Sequence, residues 1–253
     1  LFGWNRLPPW LITLASVLVA IGTATSAFWI LSANSWMQTP AGHEVRDGIA
    51  YPVDWLRLIF NPSFPYRFAH MLNAAYLTTA VVVLAVGARY LLAGRHRDES
   101  RTMLRMAVGM IAISAPLQLF IGDLHGLNTL EHQPVKVAAM EGHWSERDPG
   151  HLILFGLPDE EERTNHLEVA IPHLGALILT HDWDGTYLGL TDFPEEEWPP
   201  VANIFFTFRI MVGIGLLLIA VGFWGLYLWW RGRLFDNALF LRTTSYMWPL
   251  GFI

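Results

Sequence analysis

The stretch IMVGIGLLLIAVGFWGLYLWW (210–230) gives the clearest indication of fold class, because none of its 21 residues carries a charge. A helix of about 20 apolar residues crosses the hydrocarbon core of a bilayer, which is roughly 30 Å thick. The stretch therefore predicts a membrane helix. Arg209 stands immediately before it, and Met211 is its second residue. Polar groups at membrane depth are costly and usually serve function, so this end of the helix is a candidate site.

The composition of the whole chain agrees with a membrane protein. Of 253 residues, 53% are hydrophobic and 15% are charged, against about 25% charged in soluble domains. Cysteine is absent, which excludes disulfides, thiolate zinc sites and iron–sulfur clusters. The sequence has no phosphate-binding glycine motif and no basic patch for nucleic acid. The sequence begins without an initiator methionine and ends within the apolar segment WPLGFI (248–253), so we expect a piece of a longer protein.

Three more apolar stretches predict membrane helices, and a fifth begins near Thr243 and stops at Ile253. We therefore predict an all-α, polytopic transmembrane bundle of about four complete spans and the start of a fifth. The three further complete spans cover 10–32, 71–88 and 106–122. The predicted organisation is membrane helices in 1–123, a long extracytoplasmic loop in 124–203, and membrane helices in 204–253.

Positive charges set the predicted orientation, because short cytoplasmic loops are enriched in Lys and Arg. If the spans alternate, the arginines of the short connections all fall on one side, which is then cytoplasmic: Arg6, Arg95, Arg97, Arg101, Arg231, Arg233 and Arg242. The opposite side carries the connections 33–69 and 124–203. The second connection is acidic, and its runs PDEEER (158–163) and PEEEWPP (194–200) are typical of solvated surface.

His70 and Met211 are the strongest candidates for cofactor chemistry. Both fall at the predicted outer ends of spans, and an imidazole with a thioether is a ligand pair for low-spin haem iron. Arg209 could pair with a haem propionate. The alternative is that His70 is an interfacial residue and Met211 a packing residue. Five other histidines compete for the same role: His125, His132, His143, His166 and His173.

Lys136 and Glu141 form a second candidate site. Lys136 is the only lysine of the chain, and Glu141 follows it at i+5, which is not a same-face spacing on a regular helix. The two could still flank one ligand, because oxidation with proton release needs a carboxylate near the donor and a cation near its oxygen. The alternative is an exposed amphipathic helix. Asp123 ends the third span and is either a site residue or a boundary residue.

Ser26 and Asn34 lie on the first span, eight residues and about two helical turns apart. Aligned hydroxyl and amide groups in a membrane can pass protons. They can equally hold neighbouring helices together.

Seven segments, in this order, resemble segments of subunit I of the cytochrome bd quinol oxidases, and together they span nearly the whole chain. They are GWNRL (3–7), NSWMQTP (34–40), RFAH (67–70), GDLHG (122–126), KVAAMEGHW (136–144), FGLPDEEERTN (155–165) and FRIMVGIG (208–215).

The resemblance implies a fold of nine membrane helices and three haems, of which this chain supplies the fourth to seventh spans and the opening of the eighth. It implies that His70 and Met211 ligate the low-spin b haem, with Arg209 beside it. Lys136 and Glu141 match the residues tied to quinol oxidation, at the start of the extracytoplasmic Q loop (124–203). The remaining matches are Asp123 with an acid ending the preceding span, and Ser26 and Asn34 with polar residues near the proton route.

The implied function is oxidation of ubiquinol or menaquinol, with electrons passing to oxygen and generation of a proton gradient across the bacterial inner membrane. The implied partners are membrane lipid, oxidase subunit II, a high-spin haem b, and a haem d or second haem b. The Q loop is short, which sets this chain apart from long-loop relatives. Segments bearing the high-spin haem ligands are absent, so this piece alone is not expected to reduce oxygen. Two alternatives remain: a quinol-oxidising cytochrome with another acceptor, and a haem-free transporter or channel subunit.

Overall fold

The computed structural model describes residue 3 and residues 6–145 and 150–253. Two residues of the segment GWNRL, Trp4 and Asn5, lie outside this part. Within it the chain folds into eight α-helices and four β-strands. In chain order these are α1 Pro9–Gln38, β1 His43–Arg46, β2 Ile49–Pro52, α2 Trp55–Ile59, α3 Phe64–Leu92, α4 Arg97–His132, α5 Pro134–Glu141, β3 Leu152–Asp159, β4 Thr164–Ile171, α6 Leu174–Thr180, α7 Val201–Trp230 and α8 Ala238–Ser245.

Four of these helices, α1, α3, α4 and α7, are long and apolar enough to cross a membrane. This confirms the predicted helical, polytopic fold. Two small antiparallel hairpins, β1–β2 and β3–β4, add strands that the all-α prediction did not include. The chain divides into two compact units, residues 1–72 and 73–253, and α3 begins in the first and continues into the second.

The membrane helices are longer than the apolar stretches that predicted them. Helix α3 begins at Phe64 rather than near Met71, and α4 continues to His132 rather than ending near Gly122. Hydropathy detects only the lipid-facing middle of a helix, whereas backbone hydrogen bonding continues past it into the polar interface. Helix α3 therefore includes His70, which the apolar stretch left just outside.

The fifth predicted segment does not form a continuous helix from Thr243. Helix α8 begins at Ala238, where the Asn237 side chain accepts a hydrogen bond from the Phe240 amide at 2.9 Å, and it ends at Ser245. A separate 3-10 helix covers Trp248–Phe252. Pro249 explains the break, because proline disfavours the helical conformation in the residue before it and has no amide hydrogen to donate.

The first unit is joined by a buried polar cluster around Asn61. The Asn61 amide donates to Ser35 Oγ at 3.0 Å and to the Ser32 carbonyl at 3.3 Å, and its oxygen accepts from Thr39 Oγ1 at 3.2 Å. These bonds connect the C-terminal half of α1 to the segment that precedes α3. Rings of Phe28, Phe64 and Phe68 pack beside this cluster. The start of α3 is therefore fixed against α1.

The second unit has an apolar core formed by α3, α4, α7 and α8. Leu84, Leu104, Ile111 and Phe240 are among its fully buried side chains. A polar bridge also joins two of the helices, because the Asn73 amide donates to the Ser114 carbonyl at 2.9 Å and to Gln118 Oε1 at 2.7 Å. Such interhelical hydrogen bonds are a usual means of association between membrane helices.

Helices α4 and α7 approach closely at two glycines. A Cβ atom on Gly222 would lie 3.1 Å from the Ala112 Cα atom, and one on Gly225 would lie 2.9 Å from both Val108 methyl groups. Small residues at such positions let membrane helices pack backbone to backbone. This contact positions the C-terminal part of α7.

We predict that Gly222→Ala destabilises the protein by about 1–3 kcal/mol, because the added methyl group would press against the Ala112 backbone, which cannot change rotamer to make room. The matched control is Gly109→Ala on α4, where a Cβ has open space. There alanine should leave stability unchanged or raise it by about 0.4–1 kcal/mol. Thermal unfolding in detergent measures both. Equal melting temperatures for the two variants would contradict the close contact.

Candidate functional site

Glu141 is the last residue of α5, and its side chain is 7% exposed. The helix ends there because Gly142 adopts a left-handed conformation with φ of 69°, which glycine accepts without strain. A Cβ atom at residue 142 would lie 2.8 Å from the Phe205 ring on α7. The glycine therefore both stops the helix and lets the turn after Glu141 lie against α7.

Arg209 on α7 holds this turn. Its Nη2 lies 3.2 Å from Glu141 Oε2, forming a buried ion pair, and its Nη1 donates to the Met140 carbonyl. The guanidinium carbon also lies 4.0 Å from the centre of the Phe205 ring. The carbonyls at the end of α5 form the negative pole of that helix, so a cation is favoured there.

The strand β3 supplies the third side of the site. The Ile153 carbonyl accepts from Arg209 Nε at 3.0 Å and from Nη2 at 2.7 Å. One guanidinium thus joins α7, the end of α5 and the first hairpin strand of the Q loop. The haem propionate expected beside Arg209 from the sequence stays a prediction, and the described partners of this side chain are protein groups.

Burial raises the pKa of the Glu141 carboxyl above its ordinary value, and the charge and hydrogen bond of Arg209 act in the opposite direction. Burial is the larger effect, because removing a carboxylate from water disfavours its charged form. A carboxyl whose pKa is raised in this way can accept a proton from a weakly acidic hydroxyl near neutral pH. The site therefore has the chemistry of a general base beside a fixed cation.

Asn165 on β4 supports the turn from the other side. Its amide donates to the Gly142 carbonyl at 2.8 Å and to Glu168 Oε2 at 2.9 Å, and its oxygen accepts from Trp144 Nε1 at 3.0 Å. The role of Asn165 was not predicted, although it closes the segment FGLPDEEERTN. A lone asparagine after an acidic run gives no signal of a contact with residues more than twenty positions earlier in the chain.

His143 extends the same support into the Q loop. Its side chain is fully buried, with Nε2 at 2.8 Å from the His151 carbonyl and 2.9 Å from the Tyr187 hydroxyl. The sequence offered His143 only as an alternative haem ligand. In the structure its contacts are those of a residue that holds the loop segments together.

The tip of the β3–β4 hairpin contacts the beginning of α7. Glu160 Oε1 accepts a hydrogen bond from the Val201 amide at 3.0 Å, and Arg163 pairs with Glu195. Arg163 also lies over the Trp198 ring, at 5.6 Å from its centre. The acidic runs predicted as solvated surface are indeed largely exposed, but one of their carboxylates satisfies the first amide of a membrane helix, which otherwise has no partner in the helix.

Lys136 and Asp123 are the other two candidate residues of this region. Lys136 is half-buried on α5, and its spacing from Glu141 places the two residues on different faces of that helix. Asp123 lies on α4, with Oδ2 at 3.4 Å from His181 Nε2. The structure thus brings Glu141 together with Arg209, whereas shared contact of Lys136 and Glu141 with one ligand stays a prediction.

His70 lies in the second turn of α3 and is half-buried, and Met211 on α7 is 45% exposed. They belong to different compact units, and their joint ligation of one iron stays a prediction. Three competing histidines have local contacts. His132 Nδ1 lies 3.0 Å from the Asn128 carbonyl, and the other two, His166 and His173, contact Asp159 and the Trp183 carbonyl at 3.2 Å and 3.1 Å.

The two polar residues of α1 differ in their surroundings. Ser26 is exposed and lines an apolar groove together with Met71. Asn34 is half-buried, and its Oδ1 accepts a hydrogen bond from Arg67 Nη1 at 3.2 Å. A proton route through both residues stays a prediction, and the contact of Asn34 joins α1 to α3.

Comparison with known proteins assigns the family. The family model described as cytochrome bd terminal oxidase subunit I matches residues 1–253. The chain is 32% identical to cytochrome bd ubiquinol oxidase subunit 1 of Bacillus subtilis strain 168 over 253 residues, covering 96% of this chain and 54% of the relative. It is 36% identical to cytochrome bd-II ubiquinol oxidase subunit 1 of Escherichia coli K12 over 209 residues, covering 78% of this chain and 39% of the relative.

The fold is similar to that of the bd oxidase from Geobacillus thermodenitrificans, with a TM-score of 0.85 and 30% sequence identity. That similarity covers 98% of this chain and 57% of the solved chain. The chain thus spans about half the length of the B. subtilis relative and of the solved structure. Together with the match over its whole length, these similarities confirm the predicted resemblance: the chain belongs to the cytochrome bd terminal oxidase subunit I family.

Proposed function

We propose that this chain is the quinol-oxidising part of subunit I of a cytochrome bd-type terminal oxidase. The observation that carries the proposal is the buried pair of Glu141 and Arg209, fixed between α5, β3 and α7. The substrate is ubiquinol or menaquinol, and it binds near Lys136 and Glu141 at the extracytoplasmic face. Family membership supports this assignment, and the chemistry of the pair supports the position of the site.

Quinol oxidation releases two protons for each two electrons, so the site needs a proton acceptor. Glu141 takes a proton from a quinol hydroxyl, and Arg209 limits how far burial raises the pKa of this carboxyl. Lys136 stabilises negative charge on the quinol oxygen as the proton leaves. Hydrogen bonds from Asn165 and from Arg209 to backbone carbonyls hold the Glu141 turn in position, so the carboxyl does not have to reorganise during the reaction.

His70 and Met211 are the residues that would hold a low-spin haem b. The donor set fits, because a neutral imidazole and a thioether are established axial ligands, and the soft sulfur favours ferrous iron. The exposed Met211 side chain is compatible with such a role. When bound, the haem supplies one-electron redox chemistry between quinol and the high-spin haems of the intact subunit, which are a haem b and a haem d or second haem b.

The charge distribution supports an orientation with the Q loop outside the bacterial cytoplasmic membrane. The arginines of the short connections lie on the opposite side of the predicted topology. Protons released at Glu141 then leave to the outside. Protons for oxygen reduction come from the cytoplasm, for which Ser26 and Asn34 are candidate carriers. Release and uptake on opposite sides generate a proton gradient, and subunit II completes the oxidase.

We predict that His70→Ala and Met211→Leu each remove the low-spin b-haem band from the reduced-minus-oxidised absorption spectrum of the intact oxidase. Leucine preserves the size of methionine but has no sulfur for iron. The matched control is Met110→Leu on α4, since Met110 is 44% exposed, close to the 45% of Met211. Its spectrum should equal that of the wild type. An unchanged spectrum in Met211→Leu would exclude this residue as a ligand.

We predict that Glu141→Gln slows quinol oxidation by about a hundredfold or more and leaves the low-spin haem in place. Glutamine retains the size of the side chain and can accept a hydrogen bond from Arg209, but it cannot take a proton from quinol. Oxygen consumption with quinol measures the rate, and the haem spectrum checks folding. The exposed Glu161→Gln should behave as the wild type, and normal turnover in Glu141→Gln would refute the proposed base.

We predict that Arg209→Gln moves the acidic limb of the pH–rate profile to higher pH. Arg209 lowers the pKa of Glu141, so its removal raises that pKa further, and a higher pH is then needed to deprotonate the base. Arg209→Lys retains the charge and should move the limb less. The control is Arg163→Gln, an exposed arginine of the same loop region. A limb at the wild-type position in Arg209→Gln would show that Glu141 is not the titrating group.

A further inference from the structure

Arg67 lies in the first turn of α3, where its guanidinium is half-buried. Its Nη1 donates to Asn34 Oδ1 at 3.2 Å. The Nε atom is buried, and no acceptor within the described residues lies at hydrogen-bond distance from it. The side chain is therefore positioned by α1 through Asn34, but one of its donors points to a place that the described chain does not fill.

The electrostatics of this position favour an anion. The first turn of a helix is the positive end of its dipole, so a cation there is disfavoured. Within the described part of the chain, the side-chain partner of the guanidinium is Asn34, which is a neutral amide. A buried donor without an acceptor is unfavourable, and more so when the group is charged. An anion beside Arg67 would offset the positive end of the helix dipole and accept the hydrogen bond of the Nε donor.

Arg67 and His70 share one face of α3, because residues three apart are neighbours on a helix surface. Helical side chains lean toward the N-terminus, so Arg67 lies about one turn further toward the beginning of α3 than His70. The two side chains therefore lie on one side of α3 within about a turn of each other, so Arg67 is a candidate partner for an acidic group of a cofactor held by His70. Arginine also matches a carboxylate in geometry, since its planar donors can form two parallel hydrogen bonds.

Arg209 differs from Arg67 in this respect. Its guanidinium already contacts the Glu141 carboxylate and the carbonyls of Met140 and Ile153. The arginine that the sequence analysis assigned to the haem propionate is thus engaged by protein groups. Arg67 was not a candidate from the sequence. Its Nε is a buried donor for which the described residues supply no acceptor.

We propose that Arg67 forms an ion pair with a propionate of the haem whose iron is bound by His70, and that Asn34 positions the guanidinium for this contact. The inference rests on the proposed ligation by His70. A positive charge at the cofactor's edge stabilises the ferrous state, which carries one more electron than the ferric state. Arg67 therefore raises the reduction potential of the low-spin haem, and Asn34 acts indirectly as a positioning residue.

The test is a redox titration of the low-spin haem in the intact oxidase, for Arg67→Gln, Arg67→Lys and Asn34→Ala. In Arg67→Gln the ferrous-to-ferric ratio at a fixed ambient potential should fall about tenfold, which equals 59 mV for a one-electron couple. Arg67→Lys retains the charge and should shift less. Asn34→Ala should shift the potential in the same direction by a smaller amount. The control is Arg57→Gln, an exposed arginine paired with Asp54, which should leave the potential unchanged.

A second measurement reports the ion pair directly. In the redox-induced infrared difference spectrum, the carboxylate bands of the propionates should move in Arg67→Gln and not in Arg57→Gln. If potential and bands both equal those of the wild type while the haem remains bound, the inference is wrong and the proposed function stands. If the wild type has no haem band that His70→Ala removes, both are wrong.

Loss of the haem in Arg67→Gln with retention in Arg67→Lys supports the inference, because only the charge differs. If both Arg67 variants lose the haem, Asn34→Ala decides. A lower potential in that variant supports the ion pair, and an unchanged potential overturns it. An anionic lipid headgroup bound at Arg67 instead of the propionate would leave the haem potential and the propionate bands at their wild-type values, and so also overturns the inference.

Discussion

The contact between Glu141 and Arg209 holds together the part of the second unit formed by α5, β3 and the beginning of α7. The two side chains come from elements 68 residues apart in the chain, and both are largely buried. Burying either charge alone is strongly unfavourable, so each requires the other. Because the guanidinium also binds carbonyls of α5 and β3, three separate elements meet at one cation. The position of the candidate base is thus determined by a membrane helix as well as by its own short helix.

This arrangement combines rigidity with reactivity. A carboxylate in water has a low pKa and is a weak base, whereas one buried beside a single cation has a raised pKa and still has a counter-charge when ionised. The supporting hydrogen bonds of Asn165 and His143 come from the Q loop and not from the membrane helices. The loop is therefore part of the site's structure, even in a chain where the loop is short.

The sequence predicted the membrane fold well because lipid imposes a simple rule: long charge-free stretches must be helical to satisfy their backbone. It placed helix ends poorly, since α3 and α4 continue through polar residues that hydropathy cannot separate from loop. It also treated Thr243 onward as a new span, where Pro249 interrupts the helix. The strands of the Q loop were not predicted, because a stretch such as LILFGLPD (152–159) has no clear alternation of apolar and polar residues.

The candidate residues Glu141 and Arg209 were each identified from sequence, but their contact was not. Arginine near a methionine suggested a haem propionate, and nothing in a single sequence distinguishes that anion from a glutamate 68 positions away. Arg67 was overlooked for a related reason. An arginine at the start of a span is usually a boundary residue, and only the buried position of its Nε separates it from that class.

The hydrogen bond from the Val201 amide to Glu160 links the tip of the β3–β4 hairpin directly to the first residue of α7. The helix that begins at this amide also carries Arg209 and Met211, so the exposed hairpin tip is connected through α7 to the apolar middle of that helix. A protein bound to the hairpin tip, such as an antibody or an accessory protein, would therefore act on the first turn of α7.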